Sequence, residues 1–121
     1  MNVTVRLTKN FKSELKPLLK KYPSLPDDLL ELEEDLKKNP QLGSDLGKNA
    51  YKITLRIKNK GKGKRGGARV ISFVEHVVIL GLELAENETT VNLISIYDKG
   101  EIDTITDNEL KKLIYLFHNQ K

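Results

Sequence analysis

A strictly alternating stretch near the middle of the chain constrains the fold more than any other part of the sequence. Apolar residues stand at every second position over residues 51–57, and the positions between them hold Lys52, Thr54, Arg56 and Lys58. This period of two predicts a β-strand with one apolar and one cationic face. Residues 59–67 then contain four glycines among basic residues, and strand-forming residues resume over 69–74. We therefore predict a β-hairpin with a basic outer face and a basic tip.

The positive charge of this hairpin is local. Residues 48–70 hold nine basic side chains and no acidic one, although the net charge of the whole chain is only +4. Residues 1–47 hold eight side chains of each sign, and residues 71–121 hold four basic and nine acidic ones. So dense a cationic segment attracts polyanions. This favours nucleic-acid or phosphate binding over the alternative, an ordinary solvated strand face with a lysine-rich loop.

Composition limits the classes of protein and of chemistry. A length of 121 residues predicts one domain, residues 1–121, with a modest core. The absence of cysteine excludes disulfides, thiolate metal sites and thiol catalysis, and it fits a reducing cytoplasm. His76 and His118 lack the spacing of metal ligands, so we expect no metal and no cofactor. No apolar run approaches the roughly 20 residues that cross a bilayer, and the first residues do not resemble a signal peptide, so we expect a cytoplasmic protein without a membrane partner.

The first half of the chain has the pattern of a strand followed by two helices. Residues 1–7 alternate as a short strand, and Thr8 is a candidate N-cap for the next helix. Pro17 interrupts that helix, which either kinks there or begins late, near Ser13. Leucines at positions 25, 29, 32 and 36 predict a second helix with an acidic outer face. We assign residues 43–47 to a loop.

The second half predicts strands and one final helix. Residues 68–84 are almost all strand-forming, but the segment is long for a single strand, so we expect a bend or bulge. Asn87 and Glu88 suggest a turn before a strand over 89–97. Thr106 begins the last helix, with Glu109 at the capping-box position. The predicted fold is α+β with the order β-α-α-β-β-β-α, a twisted and mostly antiparallel sheet packed on helices.

Several segments together resemble the RelE/ParE family of type II toxin–antitoxin toxins. They are YPSLPDDL between the helices, AYKITLRIKNKGKGKRGGARVI in the hairpin and LISIYDKGE before the last helix. The likeness runs over nearly the whole chain and is strongest to the RelE/HigB-like subgroup. It implies a fold like that of small microbial RNases, a cognate antitoxin as partner and metal-free cleavage of mRNA on the ribosome. The toxin would be a monomer or part of a toxin–antitoxin hetero-oligomer.

The resemblance also implies site residues. Lys52 corresponds to the strand lysine that is the candidate base, and Arg69 corresponds to the phosphate-binding arginine of the next strand. Lys99 takes the place of a second arginine, and Tyr97 resembles the active-site tyrosine of HigB-like members, with packing against the last helix as its alternative role. The catalytic set is thus Lys52, Arg69, Tyr97 and Lys99. The expected RNA contacts are Arg56, Lys60, Lys62, Lys64 and Arg65.

Two alternatives remain beside the mRNA endoribonuclease. A ParE-like member of the same fold would poison DNA gyrase and cleave nothing, and fold alone does not separate the two. A degenerate module would only bind RNA or an antitoxin. The second alternative rests on two departures from the RelE pattern: Thr54 replaces a second lysine, and Ile105 and Thr106 stand where RelE toxins carry a tyrosine.

Overall fold

Five strands and three helices make up the part of the chain that the computed structural model describes, which is residues 2–58, 67–80, 85–100 and 105–119. The strands are β1 (Asn2–Leu7), β2 (Ser44–Gly47), β3 (Ala50–Leu55), β4 (Ala68–Leu80) and β5 (Ala85–Asp98). The helices are α1 (Lys9–Lys21), α2 (Leu25–Lys38) and α3 (Asp107–Asn119). The α+β class is therefore confirmed. None of these helices is both long and apolar enough to span a membrane.

The strands form one mixed sheet with the order β1-β5-β4-β3-β2. The pairs β2–β3, β3–β4 and β4–β5 are antiparallel, and β1 pairs with β5 in parallel. The predicted basic hairpin is present as β3 and β4, whereas its tip, residues 59–66, lies outside the described residues. The order of elements differs from the predicted one by the additional strand β2.

The assignment of residues 43–47 to a loop is wrong, because Ser44–Gly47 forms β2. Gly47 is opposite Ala50, so the two residues between them, Lys48 and Asn49, make the turn. Both have positive φ, 57° and 66°. Two consecutive positive φ values are typical of the tight hairpin turn whose usual sequence is Asn-Gly or Asp-Gly. Lys-Asn lacks that signal, which explains why the sequence did not reveal the hairpin.

Of the two central strands, β5 is longer than the predicted 89–97, whereas β4 lies within the predicted 68–84. β4 has 13 residues and β5 has 14, and they pair along their whole length. The register shifts where Ile71 is opposite Ser95 and Ser72 is opposite Leu93, so the extra residue, Ile94, lies on β5 and not on the strand for which a bend or bulge was predicted. The predicted turn at Asn87 and Glu88 is wrong, because both residues belong to β5. Neither residue type favours strands, but long ladders override such local preferences.

Helix α1 begins directly at its predicted cap. Thr8 Oγ1 accepts a 3.2 Å hydrogen bond from the backbone N–H of Phe11, and the helix runs through Pro17. The alternative of a late start near Ser13 is therefore wrong. A proline inside a helix costs about 3 kcal/mol. Buried Phe11, Leu15 and Leu18 offset this cost by packing α1 on the sheet.

Both faces of the sheet are covered by helices, so the core has two parts. On one face, α1 and α2 bury Phe11, Leu25 and Leu36 against strand residues such as Ile53 and Val70. On the other face, α3 buries Leu110 and Phe117. The strand residues that pack there are Ala50, Ile71, Phe73, Ile94 and Tyr97. We call this second side the α3 face.

The two-faced character predicted for the hairpin strand is confirmed. Ile53, Leu55 and Ile57 are buried, while Thr54, Arg56 and Lys58 are exposed. Lys52 is partly buried because it lies on the same face of β3 as Ala50, two positions earlier, which packs in the α3-face core. The α3 face is thus apolar where it lies under α3 and polar along β3.

Candidate functional site

The strand register brings three of the four predicted catalytic residues to one region of the α3 face. Arg69 on β4 lies between Thr54 on β3 and Tyr97 on β5, so these three form one row across the sheet. In the next row, Lys52, Ile71 and Ser95 are aligned in the same way. Directly opposite residues share a face of the sheet, so Lys52 and Arg69 are diagonal neighbours. Such neighbours have Cα atoms roughly 7–8 Å apart.

Lys52 is positioned by the chain segment that enters β2. The carbonyl oxygen of Lys52 lies only 2.5 Å from the place that a Cβ on Gly43 would occupy. Gly43 also has a φ of +107°, which side-chain-bearing residues rarely adopt. Only glycine allows this close approach at position 43. The backbone of β3 is therefore held firmly at the residue that carries the candidate base.

Arg69 lies near the beginning of β4 and is partly buried. Its Nη1 donates a 3.3 Å hydrogen bond to the carbonyl oxygen of Ala68. Gly67 fixes the entry to this strand, because a Cβ at that position would overlap the carbonyl oxygen of Leu55. The N-terminal end of β4 thus lies close against the C-terminal end of β3, and the strand register places Arg69 opposite Thr54.

Tyr97 is 6% exposed and belongs to the α3-face core. It lines a cavity of about 340 Å³ between β5 and the beginning of α3. The other residues around this cavity are Glu14, Ser95, Ile105, Glu109, Lys112 and Leu113. This burial agrees with packing against the last helix, the alternative role considered for this tyrosine. In the described arrangement the ring forms a wall of the site.

Lys99 follows β5 in a turn that hydrogen bonds hold together. Its backbone N–H donates a 3.2 Å hydrogen bond to the carbonyl oxygen of Gly67. The preceding residue, Asp98, is 3% exposed, and its Oδ1 accepts a 2.9 Å hydrogen bond from the N–H of Gly100. Its Oδ2 accepts a 2.7 Å hydrogen bond from the hydroxyl of Tyr22. The main chain of Lys99 therefore lies next to the segment that leads into Arg69.

Of the predicted RNA contacts, only Arg56 lies within the described residues, and acidic groups of α2 lie near it and near the neighbouring Lys58. Lys58 Nζ lies 2.6 Å from Oε1 of Glu31, and this neighbour raises the pKa of the Lys58 ammonium. Arg56 lines a small cleft of about 180 Å³ together with Asp28, Glu31 and Asp35. The acidic face of α2 thus reduces the positive charge at this edge of the sheet. Lys60, Lys62, Lys64 and Arg65 lie outside the described residues.

Sequence reasoning missed a carboxylate that lies close to the predicted site. Oε1 of Glu14, on α1, accepts a 2.8 Å hydrogen bond from Ser95 Oγ and a 2.9 Å hydrogen bond from Asn10 Nδ2. It shares the cavity with Tyr97. No sequence pattern indicates this contact, because Glu14 is separated from Ser95 by 81 positions. Only the docking of α1 beside β5 brings the two together.

The arrangement can bind and polarise an anion. Two cationic side chains, Lys52 and Arg69, are neighbours on a sheet, and a guanidinium can hold two phosphate oxygens at once. Thr54 adds a hydroxyl in the row of Arg69, and Ser95 stands in the row of Lys52. A phosphate group beside Arg69 and Lys52 would meet positive charge and the exposed hydroxyl of Thr54, whereas the buried hydroxyl of Ser95 already donates to Glu14. No known protein-family model matches this chain.

Proposed function

We propose that this chain is the toxin of a type II toxin–antitoxin system that acts in the cytoplasm and cleaves mRNA on the ribosome. The observation that carries the proposal is the diagonal placement of Lys52 and Arg69 on one face of the sheet. It agrees with the catalytic set that the resemblance to RelE/ParE toxins implies. A cognate antitoxin, mRNA and the ribosome are the partners that belong to this proposal.

Metal-free cleavage of RNA needs four groups. The 2′-hydroxyl attacks the neighbouring phosphorus, a base accepts its proton, cations stabilise the charge that develops on the phosphate, and an acid protonates the leaving 5′-oxygen. Lys52 is the base in this proposal, and Arg69 with Lys99 stabilises the phosphate. Lys52 and Arg69 stand on adjacent strands of one sheet, and such a rigid support favours a fixed geometry for the attack.

Tyr97 has a more restricted role in the proposed reaction. Its ring is buried below α3, in the same row as Arg69. We assign it to positioning: it fills the space beside Arg69 and supports the guanidinium. The proton that the leaving oxygen requires comes from the protonated Lys52 or from water, so no step depends on exposure of the phenol.

One observation favours a second function, a module that binds RNA or an antitoxin without cleavage. Thr54 is directly opposite Arg69, at the centre of the candidate site. The RelE pattern has its second lysine at this position, and a threonine hydroxyl cannot replace the charge of a lysine in stabilising a phosphorane. A Thr54→Lys variant therefore belongs in the test of the proposal.

The test is inducible expression in a bacterium, with primer-extension mapping of a reporter mRNA. Wild type is compared with Lys52→Ala and Arg69→Ala. The control is Lys37→Ala, which removes an exposed lysine from the last turn of α2. We expect growth arrest and cleavage within translated codons for wild type and control, and a loss of both, by about 100-fold or more, for the two site variants.

Other outcomes separate the alternatives. Growth arrest with intact mRNA would overturn the nuclease proposal and support a gyrase poison. No arrest by the wild type, with arrest and cleavage by Thr54→Lys, would show a degenerate site on a nuclease fold. Cleavage that survives both Lys52→Ala and Arg69→Ala would place the active site elsewhere.

A further inference from the structure

A second cationic cleft lies between β1, the beginning of α1 and the end of α3. Its volume is about 680 Å³, which is within the usual range of 300–1,000 Å³ for ligand sites. The residues that line it are Arg6, Leu7, Thr8, Lys9, Lys12, Asn92 and Phe117. Three of the seven are cationic and none is acidic. This cleft plays no part in the catalytic site proposed above.

The three cations of this cleft are exposed and available to a ligand. Within the described residues, none of the ion pairs involves Arg6, Lys9 or Lys12. The segment that contains them has no excess of charge, since residues 1–47 hold as many acidic as basic side chains. The fold separates most of these charges, because Asp28, Glu31 and Asp35 of α2 lie near β3, whereas Glu33 lines a neighbouring cleft beside Leu7. A locally positive cleft results, although the sequence is locally neutral.

The floor and one wall of the cleft are rigid. Asn92 is 2% exposed, and its Nδ2 donates hydrogen bonds to the carbonyl oxygen of Phe73 at 3.2 Å and to Oε1 of Glu75 at 2.9 Å. The ring of Phe117 packs at 5.4 Å, centre to centre, against both Phe73 and His118. Glu75 does not line the cleft, and the three cations outweigh its charge.

The cations continue along α1 beyond the cleft. Lys9, Lys12, Lys16 and Lys20 follow one another at intervals of three, four and four residues. At 3.6 residues per turn, this spacing puts them on one side of the helix. All four are exposed. The cleft therefore opens onto a cationic track, which suits an extended polyanion better than a small compact one.

We propose that this cleft binds the sugar-phosphate backbone of single-stranded RNA, with a base resting on the exposed side chain of Leu7. Proteins that hold single strands without regard to sequence combine a positive groove with aromatic surfaces. The positive groove is present here, and Leu7, 40% exposed, supplies apolar surface in place of an aromatic ring, since Phe117 is buried. Arg6 adds a planar group that pairs with phosphate oxygens. The inference rests on the proposed function in that it takes RNA as the ligand, but it requires no cleavage.

The experiment measures binding of a labelled single strand of about 12 nucleotides by fluorescence anisotropy. All its riboses carry 2′-O-methyl groups, so that cleavage cannot affect the result, and no ribosome is present. Wild type is compared with the triple variant Arg6→Gln, Lys9→Gln, Lys12→Gln. The matched control removes three exposed lysines outside the cleft, as Lys37→Gln, Lys38→Gln, Lys111→Gln. A third variant, Arg6→Lys, Lys9→Arg, Lys12→Arg, preserves the charge.

We expect the cleft variant to bind about tenfold more weakly at 0.1 M salt, with the control and the charge-preserving variant close to wild type. Each phosphate neutralised on a single strand contributes about 0.7 to the slope of log affinity against log salt concentration. Three lost contacts should therefore lower that slope by about 2. Urea unfolding of each variant establishes that the chains compared are folded.

Two results would overturn the inference. The first is an affinity and salt slope of the cleft variant equal to those of the control. The second is a cleft variant that keeps its RNA affinity but loses binding of poly-glutamate, since the cleft would then take an acidic protein segment. Loss of RNA cleavage in cells with RNA binding intact concerns only the proposed function, so the two failures are distinguishable.

Discussion

The hydroxyl of Tyr22, just after α1, donates a 2.7 Å hydrogen bond to Oδ2 of Asp98, the last residue of β5. Both side chains are buried, at 7% and 3% exposure. Lys21 Nζ also lies 3.5 Å from the same oxygen. This contact ties the end of the first helix to the turn that carries Lys99, and it links the core under α1 to the candidate site.

Replacing Tyr22 by phenylalanine should destabilise the protein by about 1.5–3 kcal/mol, because it removes a hydrogen bond to a buried carboxylate. The matched control is Tyr115→Phe, since Tyr115 is 68% exposed and should change the free energy of unfolding very little. Urea denaturation measures both. Equal stabilities of the two variants would show that the Tyr22 hydroxyl contributes nothing to the fold.

Gly67→Ala should destabilise by about 1–3 kcal/mol, because the added methyl group would overlap the carbonyl oxygen of Leu55 and force β3 and β4 apart. Gly47→Asn is the control. A Cβ at Gly47 would meet no atom within 4 Å, but its φ of +82° strains a residue that carries a side chain, so this variant measures backbone strain without a clash. The comparison of urea midpoints checks the prediction, which fails if Gly67→Ala unfolds at the wild-type midpoint.

The ion pair between Lys58 and Glu31 should make stability depend on pH in the alkaline range. Hydrogen bonding and attraction by Glu31 raise the pKa of Lys58 above its ordinary 10.5. The contribution is therefore fully present below the unfolded-state pKa and is lost as pH rises through the higher folded-state pKa.

Unfolding of wild type and Lys58→Gln by urea, between about pH 9 and about pH 12, measures this effect. The difference between them should be small, should shrink at high salt because the pair is exposed, and should vanish at the alkaline end. Lys37→Gln controls for the loss of a charge alone. A difference that is independent of pH would mean that Lys58 acts through packing.

Thr106→Ala should cost about 1 kcal/mol and loosen the first turn of α3. Thr106 Oγ1 accepts a 3.1 Å hydrogen bond from the N–H of Glu109, and Oε1 of Glu109 accepts a 3.2 Å hydrogen bond from the N–H of Thr106. Thr106→Ser preserves both contacts and is the control. Amide hydrogen exchange should accelerate in α3 of the alanine variant alone. Equal acceleration in both variants would assign the effect to the lost methyl group.

This capping box illustrates what the sequence predicted well. The signals at Thr8 and Thr106, the alternation over residues 51–57 and the leucine stripe of α2 are all local, and each is confirmed. They depend on residues within one or two turns or one strand. Local chemistry at these positions agrees with the global fold, as expected of a sequence that specifies one structure.

The missed β2 hairpin has a local cause, the atypical turn at Lys48 and Asn49, whereas the other failures arise from contacts distant along the chain. Nothing near Asn87 indicates that a partner strand will extend β5 through it, and nothing near Glu14 indicates that Ser95 will bind it. The neutralisation of Lys58 by Glu31 is likewise hidden, since 27 positions separate them. For the candidate site, the residue types were predictable, whereas the covering of Tyr97 by α3 depended on tertiary packing.

The parallel pairing of β1 with β5 affects the order in which the chain can fold. Asn2 is opposite Glu88, so β1 obtains its neighbour only after β5, more than 80 positions later in the chain, has left the ribosome. Until then α1 and α2 have no complete sheet to pack on, and their leucines remain exposed. Contacts between residues so distant along the chain slow folding, and they prolong the time during which apolar surface is exposed during synthesis. The delay ends only when β5 is available, because β1 and β4 both pair with that strand.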